Sequence, residues 1–158
     1  MEKDPSKKDD KLFKVWMLVN FLHNKFKQIP KQQHNYVDEQ MIPYKRKTSL
    51  KQYTQANPPK WDFKFFVLAD NKGVMHDFMP YTGKIDPVYD NDVPDLRASS
   101  NIVLHKAQCI PSQHNHLLFL NNWLTSLEFL THLASCEIWC CGAIRPQRVT
   151  GLSKEKEK

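Results

Sequence analysis

The stretch DFKFFVLADNKGVMHDFMPY, residues 62–81, admits few folds. A run dense in aromatic and aliphatic side chains is followed by Asn-Lys-Gly and a second apolar run. Side chains of this kind favour extended backbone, and Gly73 is placed to supply the positive φ of a tight turn. The segment therefore predicts a β-hairpin. A lone hairpin is marginal in water, so the rest of the chain has to supply further strands or a covering helix.

The remaining pattern does so. Leu12, Val15, Trp16, Val19, Leu22 and Phe26 recur every three or four residues, which predicts a helix over roughly 10–27 with Asp9 or Asp10 as cap and Pro30 beyond its end. YVDEQMI, 36–42, reads as a strand stopped by Pro43. KRKTSLKQYTQANPPK is a basic polar connection, and 82–98 an acidic, proline-interrupted loop. A short helix is expected over 99–106, a buried strand at HLLFL, an amphipathic helix at SLEFLTHLAS and a last strand at EIWCCGAI. Three early strands suit an antiparallel meander, and later strands separated by helices suit parallel addition. The expected class is α/β: a ribonuclease H-like mixed sheet, β-β-β-α-β-α-β, with an N-terminal helix. In that pattern the first and fourth strands lie side by side. Asp38 is on the first and Asn121 ends the fourth.

At 158 residues the chain suits one domain with a real core. Expected boundaries are a charged tail over 1–9, the domain over 10–152 and a charged tail over 153–158. No run approaches the ~20 apolar residues of a membrane span, and the charged N-terminus has no apolar signal core. Four cysteines without a regular framework fit a reducing compartment. A net charge of +6 and a pI near 9.1 permit contact with nucleic acid.

Six blocks, VDEQMIPYKRKTSLKQY, KWDFKFFVLAD, YTGK, SSNIVLHKA, NNWLTS and CGAIRPQR, occur in this order. Together they resemble the transposase core of the piggyBac family and its domesticated, transposable element-derived relatives, over about residues 10–152. The resemblance implies a DDD transposase in which three aspartates hold two divalent ions, usually Mg²⁺, for attack on DNA phosphodiesters. Two dications held ~3.5–4 Å apart repel each other, so anionic oxygen ligands are required. The family's first aspartate matches Asp38. Its second falls in the block that reads NNWLTS here, at Asn121, while Asn122, Trp123, Thr125 and Ser126 fit the pattern. The third lies on a later helix, beyond Lys158. Arg46 and Asp62 stand where relatives commonly carry Gly. An Asn oxygen can coordinate a metal but adds no charge. These residues lead to the expectation of a degenerate core that is not an enzyme, with catalytic residues absent, Asp38 and Asn121 being relic positions, and no metal or cofactor bound, the alternative being weak Mg²⁺ binding by Asp38 and Asn121. The rival expectation is an active metal-dependent transposase or nuclease; a fragment without function is the third.

Asp38 and Glu39 are adjacent, so on a strand they are expected to face opposite ways, only one pointing into a shared site. Lys45, Arg46, Lys47, Lys51, Lys60 and Lys64, interleaved with Tyr44, Tyr53 and Trp61, form the candidate DNA-binding cluster, since lysines neutralise phosphates without reading sequence. His132, Cys136, Cys140 and Cys141 offer zinc-type ligands, but Cys140 and Cys141 point opposite ways on a strand. His114 and His116 are too few for a structural site. DPVYDNDVPD lacks the central Gly and final Glu of a calcium loop. Expected partners are duplex DNA and a full-length piggyBac-type relative, with neither membrane nor small-molecule substrate. The family implies a nuclear location, the alternative being cytoplasmic.

Overall fold

A computed structural model describes residues 10–53, 61–85, 98–111 and 115–149. Its centre is β3 (Trp61–Asp70), the first arm of the expected hairpin, which turns at Gly73 (φ +79°) into β4 (Met75–Pro80). Asp70 closes the turn by accepting the backbone N–H groups of Lys72 and Val74. On its other side β3 pairs antiparallel with β1 (His34–Pro43), from Asn35↔Asp70 to Pro43↔Asp62. β5 (Leu117–Leu120) then adds parallel to β1, and β6 (Trp139–Gly142) parallel to β5. With a short β2 (Gln52–Tyr53) at one edge, the sheet runs β2-β3-β1-β5-β6, and β4 shares the outer edge of β3.

Residues directly opposite across a ladder share a face. The register Val37↔Leu68 and Val37↔Leu120 thus puts Val37, Leu68 and Leu120 on one face, with Phe66 and Leu118 two residues away. All five are buried, against Ile102 and Val103 of α2 (Ala98–Ala107) and Phe129 and Leu133 of α3 (Leu127–Ser135). The opposite face is covered by α1 (Trp16–Lys27), which lays His23 and Phe26 edge-on against Phe78 of β4.

Two details differ from the sequence expectation. The first helix begins at Trp16, not near residue 10, because the Asp10 carboxylate accepts the Leu12 N–H and the Trp16 indole N–H and holds 11–15 as turns. The basic connection contains a two-residue strand, β2 (Gln52–Tyr53), making the order β-β-β-β-α-β-α-β. Two residues are too few to carry a readable alternation. Part of the acidic loop, 86–97, and the tails lie outside the described residues.

Candidate functional site

β5 ends at Leu120, opposite Val37. The next step along both strands sets Asn121 beside Asp38, so the two positions expected to meet do meet. The Asn121 amide nitrogen donates to Asp38 Oδ1 at 2.7 Å and to Glu39 Oε2 at 2.6 Å. The expectation that only one of these carboxylates reaches the site is corrected here. Glu39 does stand on the opposite face by register, but β5 has ended, so no paired strand separates the two carboxylates here and one amide meets both. Glu39 Oε1 also accepts from Lys64 Nζ at 3.2 Å. The Lys64 ammonium lies over the rings of Trp123 (4.8 Å), Phe66 (4.9 Å) and Tyr81 (5.8 Å), and Trp123 stacks on Phe66 at 8°.

The loop after β5 is tightly braced. Asn121 Oδ1 accepts the backbone N–H groups of Trp123 (2.9 Å) and Leu124 (3.1 Å), and Thr125 Oγ1 donates to Asn121 O at 2.8 Å. Ser126 caps α3 by accepting the Phe129 N–H. From the far end of the chain, Arg148 Nη1 donates to Trp123 O (2.7 Å) and Thr125 O (2.8 Å). Arg148 closes a 3₁₀ turn, Pro146–Arg148, and its role was visible in the sequence only as part of the RPQR block. Gly142, in β6, lies against the same loop: a Cβ there would come within 2.4 Å of Thr125 Oγ1.

The other candidates are distributed differently. Lys45, Arg46 and Lys47 are exposed just beyond β1, and Lys51 sits over the Tyr44 ring at 5.6 Å. Lys64 belongs to the Asn121 cluster rather than to that surface. Lys60 and His114 lie outside the described residues, as does all of DPVYDNDVPD. Asp62 is buried in β3 and Arg46 exposed. His116 is buried, its Nδ1 on Gln32 O. Cys136 is the C-cap of α3; Cys140 is half-buried and Cys141 exposed. Burial, with neighbouring Cys141 adding to it, pushes the Cys140 thiol up to about 12, so it is held as a protonated thiol. Among the described residues, no three His, Cys, Asp or Glu side chains converge as a metal site, and no helix is long and apolar enough to cross a membrane.

A mixed sheet of this order, with Asp38 and position 121 joined where parallel β1 and β5 diverge, is the ribonuclease H-like architecture. The chain belongs to the Transposase IS4 family, whose sequence profile matches residues 1–158. Among solved structures, it is similar to a piggyBac transposase seen by cryo-EM in a synaptic complex with hairpin DNA, with a TM-score of 0.76 at 18% identity. The match covers 98% of this chain and 34% of that one, so this chain spans about a third of that transposase. No curated protein matches. Family membership corrects the expectation that the chain is not an enzyme: the family it belongs to is one of transposases. That expectation rested on the side chain at one position and on a ligand count, neither of which changes the family to which the chain belongs.

Proposed function

We propose that this chain is the DNA-engaging part of a transposase core, and that the exposed basic connection after β1 grips the phosphate backbone of duplex DNA. The observation that carries this reading is the placement of Lys45, Arg46 and Lys47. They project from the same end of β1 toward which the chain runs from Asp38. None of the ion pairs among the described residues engages them. Tyr44 and Lys51 extend the surface. The similar piggyBac transposase was solved on hairpin DNA, which supports DNA as the ligand. Contacts of this kind are positional rather than sequence-reading. Work on DNA also fits the nuclear location that the family resemblance implies.

Duplex binding measured against salt tests the proposal. Each neutralised phosphate contributes a slope of roughly −0.9 in log K against log salt. The chain should show a steep negative slope, and K45E/R46E/K47E should flatten it by about two to three units. No binding at low salt, or a slope unchanged in the triple variant, would sink the reading.

A further inference from the structure

The cluster at Asn121 stands where the resemblance implies a Mg²⁺ site, yet its wiring is that of a closed hydrogen-bond network. We propose that the Asn121 amide nitrogen fills the space between Asp38 and Glu39 that a divalent cation would take, and that this chain holds its carboxylate pair without metal.

Three observations support this. The first is the orientation of the amide. Its oxygen accepts two backbone N–H groups, from Trp123 and Leu124, and its nitrogen donates to two carboxylates. Turning the amide over would set oxygen against carboxylate and N–H against N–H, so all four bonds would fail together. The second is charge. Of the two carboxylates, Glu39 is already paired with the Lys64 ammonium at 3.2 Å, which leaves one net negative charge before any metal arrives. Mg²⁺ requires near-octahedral oxygen ligation and gives up its water reluctantly. The third is the absence of slack around Asn121. Thr125 and Arg148 fix the backbone of the loop on which it sits, so the amide can withdraw only by rotating its side chain, which breaks its own four bonds. The residues present do not fit the metal.

An aspartate at 121 behaves differently in the same frame. One carboxylate oxygen accepts the Trp123 and Leu124 N–H groups as now. The other faces Asp38 and Glu39, and the repulsion is relieved by a cation. Asn121 is thus the residue that decides whether the cluster takes metal.

Mn²⁺ titration followed by electron paramagnetic resonance, with thermal unfolding in chelator and in Mn²⁺, tests this on the intact chain. The wild type should show no saturable binding, and its unfolding temperature should ignore Mn²⁺. Asn121→Asp should unfold earlier in chelator, recover in Mn²⁺, and bind the ion at least about tenfold tighter than wild type. Saturable wild-type binding that Asp38→Ala abolishes overturns the proposal, and so does an Asn121→Asp chain that binds no better than wild type. Should Asn121→Asp fail to fold, Asn121→Ala decides: it removes the amide without adding charge, and Mn²⁺ binding no tighter than wild type again overturns the proposal.

Discussion

Gly142→Ala probes the brace that holds the Asn121 loop. The added Cβ would lie 2.4 Å from Thr125 Oγ1, 2.9 Å from Leu120 O and 3.2 Å from Leu120 Cβ. Thr125 is fully buried and its hydroxyl is committed to Asn121 O, so it cannot swing aside without breaking that bond. Leu120 O is backbone of a paired strand and yields even less. Overpacking of this kind costs about 1–3 kcal/mol, and the lost hydrogen bond adds about 1 kcal/mol. A destabilisation of about 2–4 kcal/mol is therefore expected, a large share of the ~5–15 kcal/mol typical of a domain. Urea unfolding measures it, with Thr125→Ala and the double variant completing a cycle. Thr125→Ala removes the nearest clashing atom, so the double variant should be more stable than the sum of single effects by more than ~1 kcal/mol. Thr125→Ser keeps the oxygen and should rescue nothing. A Gly142→Ala chain within about 0.5 kcal/mol of wild type would refute the reasoning, because surface-like tolerance is incompatible with these contacts.

Lys106→Ala strips the buried Asp77 of its partner at 2.6 Å; a loss of about 3 kcal/mol is expected, softened by His23 at 3.5 Å, and replacing both Lys106 and Asp77 with apolar residues should cost less than the single change in the same urea assay. Burial by itself would raise the Asp70 carboxyl, but the Val74 and Lys72 N–H groups and His76 outweigh it and hold it below the usual carboxylate value. Its stabilisation is therefore complete above the unfolded value of about 3.9 and is lost as pH falls through the lower folded value; acid titration of Asp70→Asn should show a smaller stability loss below about pH 4 than wild type. On α1, Met17 is 86% exposed and Leu18 and Phe21 more than half exposed, so the chain alone should self-associate; Met17→Lys with Phe21→Lys should reduce the weight-average mass in sedimentation, and a monodisperse wild-type monomer would contradict this.

Local pattern carried much of the fold. The apolar density of 62–70 and the Asn-Lys-Gly turn were enough to predict the β3–β4 hairpin, because side-chain alternation and positive φ are local properties. The NNWLTS block was legible in the same way: Ser126 as a helix cap and Asn121 as a strand end follow from residue type and position. β2 was not legible, since its pairing with Asp62 and Trp61 is created by β3 rather than by its own two residues. Arg148 was legible as a motif residue but not as the clamp on Trp123 and Thr125, more than twenty residues away.

The sequence by itself determined an order of elements that matches the ribonuclease H-like pattern, and in that pattern the first and fourth strands, and so positions 38 and 121, are neighbours. Only the tertiary structure decided what they do to each other. Side-chain alternation separates Asp38 from Glu39 along a strand, but it says nothing of where the neighbouring strand stops. β5 stops at Leu120, the edge of β1 opens, and a single amide meets both carboxylates. The direction of that amide is likewise set by two backbone N–H groups of a loop that Thr125 ties from within and that Gly142 and Arg148 meet from further along the chain.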